Sequence, residues 1–165
     1  MSNYSIGDLV MYGLTGACRV EEIGPLSFGG PGKIYYSMVP VYDTRSMLYL
    51  PVSKEEEING RVMSADEARV LLAKLTGIKA MKYQQNTDRS LYESIVKSGD
   101  KEKIYSMILM FRNLRKENRK SHKGLNISDE KMMRDAERVL FSEISAAIGC
   151  TMKEAMESVS VLEEE

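Results

Sequence analysis

The 165-residue chain predicts an α+β fold: a small N-terminal antiparallel β-barrel over residues 1–60, then an all-helical region over residues 61–165. Three observations carry this. Ile6 to Ile23 has a period near two, and the first fifty residues read as four or five short strands between Gly- and Pro-containing breaks, with no helix. From Ser53 onward the apolar spacing changes to the helical period. The positive charge is concentrated in the helical part. Residues 79–138 hold 15 Lys and Arg against 9 Asp and Glu, while residues 1–78 hold 7 against 9 and residues 139–165 hold 1 against 6. The net charge of −1 hides this +6 segment, which points to a polyanionic partner.

Ile6–Ile23 sets the barrel. Leu9 to Tyr12 is an apolar strand, Gly13-Leu14-Thr15-Gly16 a turn, and Ala17 to Ile23 the return strand. The loop Gly24 to Gly32 is dense in Gly and Pro. It is not a phosphate loop: Gly32-Lys33 is followed by Ile34, and Ser27 stands where that pattern requires Gly. Lys33–Tyr42 is a Tyr- and Val-rich strand, and Pro40, lacking an N–H, places it at an edge or a bulge. Asp43 to Arg45 turn the chain into Ser46–Val52, a further strand. Four or five short strands of this kind form a barrel of the SH3 or Tudor type.

Ser64 and Glu67 form a capping box for a helix with Ala68, Leu71, Leu72 and Leu75 on its apolar face, ended by Gly77. A basic connector, Lys79 to Tyr83, follows. Ser90 and Glu93 suggest a second capping box, with a start as early as Asn86 as the alternative. Its apolar positions are Leu91, Tyr92, Ile95 and Val96, with Ser98-Gly99 as the stop and Asp100 as the next cap. The third helix, about 101–121, turns Ile104, Met107, Ile108, Phe111 and Leu114 inward. Arg112, Arg115, Lys116, Arg119 and Lys120, with Lys123 beyond, make a basic strip, and Gly124 is the expected C-cap. Ser128 is expected to start the fourth helix, with Met132, Met133, Ala136, Leu140 and Ile144 on its stripe. Thr151 and Glu154 box a last helix, and Glu163 to Glu165 fray. The methionines Met107, Met132 and Met133 fall on core stripes, which reads as core filling.

No catalytic constellation emerges. His122 is the single histidine, with no Cys or carboxylate at ligand spacing, so neither a metal nor a cofactor is expected. Glu55-Glu56-Glu57 reads as an exposed turn. Cys18 and Cys150 make no disulfide framework and read as small buried apolar residues. The start is not a signal peptide and no apolar run suits a bilayer, so a cytoplasmic protein without a small-molecule substrate is expected.

The order of these segments resembles the CarD/CdnL-type bacterial transcription regulators. The resemblance is carried by Ile6 to Tyr12 and Gly16 to Ile23, by Tyr35 through Leu50-Pro51-Val52, by Ser98-Gly99-Asp100, and by Leu125 to Lys131 leading into Ala136 to Leu140. It implies a Tudor-like domain, similar to one in transcription-repair coupling factors, that docks on the RNA polymerase β subunit through Arg45, Met47, Tyr49 and Pro51. It implies helices that contact promoter DNA at the upstream bubble edge through Lys79, Lys82, Tyr83, Gln85, Arg89, Lys97 and Lys131, mostly at the backbone. The result is modulated open-complex stability without catalysis, in a protein held at the nucleoid by polymerase. Two positions depart from the family. Gln85 stands where such proteins carry a wedging Trp, and Tyr49 stands where they carry a docking Arg; Tyr83 and Arg45 are the nearest residues of those kinds. The alternative is an adaptor whose barrel binds a peptide or strand and whose helices contact protein instead of DNA.

Overall fold

The computed structural model describes residues 2–164, with side chains placed through Val159. Five strands, β1 (Leu9–Tyr12), β2 (Gly16–Gly24), β3 (Tyr35–Pro40), β4 (Leu48–Pro51) and β5 (Gly60–Arg61), form one antiparallel sheet in the order β4-β3-β2-β1-β5. Five helices follow: α1 (Ala65–Leu75), α2 (Arg89–Ser98), α3 (Lys101–Arg119), α4 (Ile127–Ile148) and α5 (Met152–Glu164). The α+β class and the barrel-like half before the helical half are as the sequence predicts. The ladder stays open between β4 and β5, which are joined by a 3-10 segment over Val52–Glu57 instead of the helix expected from Ser53.

β1 and β2 pair around a 3-10 turn, Gly13–Thr15, and one face of the sheet buries Val10, Cys18, Val20, Tyr36, Met38 and Leu50. β3 is an interior strand, not the edge expected from Pro40. The ladder to β4 stops at Met38 opposite Leu48, and Val41 N–H turns to the Ala17 carbonyl. Pro40, one residue before Val41, therefore points its nitrogen to the side where β4 has ended, so no ladder bond is lost. The strand irregularity lies on β2, between Val20 and Glu22.

Both outer capping boxes form. Ser64 and Glu67 exchange bonds of 3.1 and 3.3 Å, as do Thr151 and Glu154. The two middle starts differ from expectation. Asp88, not Ser90, caps α2, its carboxylate accepting from Ser90 N–H at 2.9 Å. Asn126, not Ser128, caps α4 by accepting from Asp129 N–H at 2.8 Å. α3 ends at Arg119 with Lys120 as its C-cap, and the left-handed residue after it is His122 at φ 58°, not Gly124. Glu163 and Glu164 continue α5, and Glu165 lies outside the described residues.

The helical core centres on two edge-to-face aromatic pairs, Tyr92 with Phe111 at 5.3 Å and Tyr105 with Phe141 at 6.1 Å. Met107 and Met133 are buried there and Met132 packs against it, which is the core-filling role their spacing predicts. Leu91, expected on the apolar face of α2, is exposed instead.

α4 joins the two halves. Ala17 N–H donates to the buried Ser142 Oγ at 2.9 Å. Gly16, at φ +82°, makes room for this approach, since a Cβ there would collide with Ser142 Oγ and lie 3.0 Å from the Arg138 carbonyl. Glu143 is buried and accepts from Met63 N–H at 3.0 Å while pairing with Lys101 at 3.5 Å. Arg138 lies over the Tyr42 ring at 5.5 Å.

Candidate functional site

Two surfaces carry the residues singled out in the sequence. The first is the outer face of β4. Strand alternation turns Leu48 and Leu50 into the sheet core, which leaves Tyr49 and Pro51 facing outward with Met47 just before them. Tyr49 lies opposite Ser37, and Pro51 opposite Tyr35, on the same outer face of β3. Tyr49 is 45% exposed and Met47 is also exposed. Arg45 sits in the turn before β4 with its side chain 94% exposed, loosely paired with Asp43 at 3.6 Å. Asp43 is held below the usual carboxylate range, chiefly by the hydrogen bond from Ser46, so it stays ionised beside Arg45. β4 is an edge strand, and this face groups all four residues at one border of the sheet.

Phe28 also stands at this face. It lies in the Gly- and Pro-rich loop between β2 and β3, and its ring packs edge-on against Tyr49 at 4.9 Å. The available signal was an aromatic side chain in a loop with no periodic apolar pattern to bury it.

The second surface is the connector between α1 and α2, continued onto the starts of α2 and α4. Lys79, Lys82, Tyr83 and Gln85 lie on this extended connector and are exposed. It is fastened to α3 by Ser106, which donates from its hydroxyl to the Lys79 carbonyl at 2.6 Å and accepts from Met81 N–H at its own carbonyl at 3.2 Å. Among the described residues Lys79, Lys82 and Lys97 have no ion-pair partner, so their ammonium groups are open to an anion. Arg89 differs. Its guanidinium donates to Asp129 at 2.7 Å and reaches Asn126 at 3.4 Å, tying the start of α2 to the start of α4. Asp129 is only 6% exposed, so Arg89 is the partner that makes its buried charge tolerable. Lys131 projects from α4 one turn on but bonds Asp135 at 2.8 Å. Lys97 lies at the other end of α2, nearly the full length of the helix from Arg89, and lines the crevice between sheet and helices with Leu14, Asn59 and Lys101. The structure thus gathers Lys79, Lys82, Tyr83 and Gln85 on one segment and Arg89 with Lys131 at another, and sets Lys97 apart.

Of the basic strip, Arg112 pairs with Glu137 at 3.3 Å and Lys120 with Glu117 at 3.0 Å. Among the described residues Arg115, Lys116, Arg119 and Lys123 carry no ion pair, and Arg115, Lys116 and Arg119 follow helical spacing along one side of α3.

Two family models match the chain. Residues 4–62 match the CarD-like/TRCF RID domain, and residues 71–160 match the CarD C-terminal domain. The chain belongs to the CarD family. This is a family of transcription regulators without enzymatic activity, and the RID domain implies binding to RNA polymerase. No curated protein matches the chain. In this CarD-family chain the RID match spans the whole five-stranded sheet, including the exposed β4 face, and the C-terminal match spans the connector and the helices α2 to α4. Among the described residues no group of three or more His, Cys, Asp and Glu is arranged to hold a metal, and no helix is long and apolar enough to cross a membrane.

Proposed function

We propose that this CarD-family protein docks on the β subunit of RNA polymerase through Arg45, Met47, Tyr49 and Pro51, and contacts promoter DNA near the upstream edge of the bubble through the connector and basic helices. Residues 1–60 serve as the docking unit and residues 61–165 as the DNA-binding unit. By holding DNA at that edge it changes how long the open complex persists. The observation that carries this reading is the RID match over a sheet whose β4 edge presents an exposed, largely uncharged face. DNA contact is made mainly by Lys79, Lys82 and Lys97, whose charges are uncommitted, and is directed to phosphates, because no base-reading pattern accompanies them. Tyr83, exposed at the end of the basic connector, and Gln85, two residues on, complete the proposed DNA-facing segment. Arg89 and Lys131, grouped at the starts of α2 and α4, add positive charge while holding Asp129 and Asp135.

A second reading is favoured by one observation. On the groove between the β1–β2 turn and α4, every cation is matched. Lys131 and Arg138 share Asp135, and Arg134 pairs with Glu130 at 2.9 Å. Interspersed charge of this kind suits a protein partner better than a phosphate backbone, and under this reading the helices act as an adaptor. The test is a titration of the full chain on purified β subunit and, separately, on duplex promoter DNA at low salt. Binding to both supports the regulator. Binding to the β subunit with no DNA affinity at low salt supports the adaptor, and no binding to the β subunit overturns the docking role.

A further inference from the structure

Phe28 is 68% exposed and Tyr49 45% exposed, yet their rings are in edge-to-face contact at 4.9 Å and 74°. Two aromatic side chains from segments twenty-one residues apart thus meet on the outside of the sheet, away from its core. The loop bearing Phe28 is ordered by its own bonds. Gly29 N–H donates to the Leu26 carbonyl at 3.0 Å, Gly30 N–H donates to Tyr35 Oη at 3.2 Å, and Lys33 N–H donates to the Gly30 carbonyl at 3.2 Å. A Cβ at Gly29 would lie 2.6 Å from the Tyr35 ring, so a larger residue there would have to displace the tyrosine whose hydroxyl accepts from Gly30 N–H. Phe28 is therefore presented at a fixed place beside β4. Contiguous exposed apolar patches mark interaction surfaces, and fully desolvated aromatic anchors dominate protein–protein affinity.

We propose that Phe28 and Tyr49 form a two-ring anchor that enters an apolar recess on RNA polymerase, extending the docking face from β4 onto the β2–β3 loop. The inference rests on the polymerase-docking reading of β4 and adds a residue, a loop and a chemical character to it. Its occupant is argued from continuity: Tyr49 belongs both to the ring pair and to the β4 face of the matched polymerase-interacting domain. Met47, Tyr49 and Pro51 are uncharged and Phe28 adds no charge. The contact energy is then apolar, and Arg45 at the rim steers approach more than it holds the complex.

The test is a titration of the full chain on purified β subunit with wild type, Phe28→Ala, Tyr49→Ala and Arg45→Ala. Phe28→Ala and Tyr49→Ala each weaken binding by about tenfold or more, and the double variant loses less than the product of the two because the rings act as one unit. Wild-type affinity changes by less than about threefold between roughly 0.1 and 0.5 M salt, over which the Debye length falls from about 10 Å to roughly half that and exposed ion pairs are progressively screened. Both side chains are exposed, so the thermal midpoint stays at the wild-type value. If Phe28→Ala fails to fold, Phe28→Glu at the same exposed position reads the same contact. Wild-type affinity in every Phe28 variant, with Tyr49→Ala weakened, overturns the anchor and leaves β4 docking intact. Absence of wild-type binding overturns the docking reading beneath it. Self-association that Phe28→Ala abolishes, with polymerase affinity unchanged, assigns the rings to a second copy of the chain and also overturns the proposal.

Discussion

Cys18 shows how one side chain ties the sheet core to solution conditions. It is fully buried on β2, and burial pushes its thiol from an ordinary 9.0 up to about 11. The native state therefore holds the thiol proton more tightly than the unfolded chain does. That stability is present below pH 9 and is lost as pH rises from 9 to 11, at up to about 1.4 kcal/mol per pH unit for a single group. In denaturant titrations across this range the wild type destabilises more steeply than Cys18→Ala. Parallel curves for the two proteins contradict the assignment. The same burial keeps the thiol protonated and unreactive at neutral pH. Cys18 was legible in the sequence as a small buried apolar residue because it stands two positions before the apolar Val20 on the same strand. Phe28 was not legible as a surface anchor, because nothing local to its loop reveals that Tyr49 stands beside it.

At the scale of elements, the connector and the ends of α2 and α4 divide their cations between structure and binding. Arg89 is held by Asp129 across forty residues of sequence, whereas Lys79, Lys82 and Lys97 are not paired. Replacing Arg89 with Ala therefore lowers stability by about 1–3 kcal/mol, because a buried carboxylate loses its charged donor. Replacing Lys79, Lys82 or Lys97 with Ala leaves stability within about 0.5 kcal/mol and lowers the slope of log affinity for DNA against log salt by about 0.9 each. Thermal melts and binding across a salt series check both halves. An unchanged salt slope in all three lysine variants removes them from the DNA-facing surface. The division explains which sequence signals were readable. The capping boxes at Ser64 and Thr151 lie within a few residues of their partners, so spacing alone revealed them. At the starts of α2 and α4 two capping side chains compete, Asp88 with Ser90 and Asn126 with Ser128, and local spacing alone does not rank them; at α4 the cap Asn126 is also reached by Arg89 from a distant part of the chain. Pro40 misled for a similar reason: its strand is interior overall, and only its last residues run past the end of β4.

For the whole molecule, the regulator reading requires that the polymerase-facing sheet and the DNA-facing helices be held in one relation. α4 holds it through Ser142, Glu143 and Arg138, which engage Ala17, Met63 and Leu14 of the preceding sheet and linker. Ser142→Ala leaves the buried Ala17 N–H without its acceptor and costs about 1–3 kcal/mol, a drop of several degrees in thermal midpoint. Gly16→Ala costs more, about 2–5 kcal/mol, because it adds a collision to a left-handed backbone. This interface was invisible in the sequence, since Gly16 and Ser142 lie far apart and each looks unremarkable alone.

The most direct measurement of the central claim is the lifetime of open promoter complexes challenged with competitor, formed by RNA polymerase with and without the full chain. The wild type is predicted to change that lifetime, and a Lys79→Ala/Lys82→Ala variant that still binds the β subunit is predicted to lose most of the change. A lifetime that the wild type leaves unaltered, or that the lysine variant alters equally, contradicts the account.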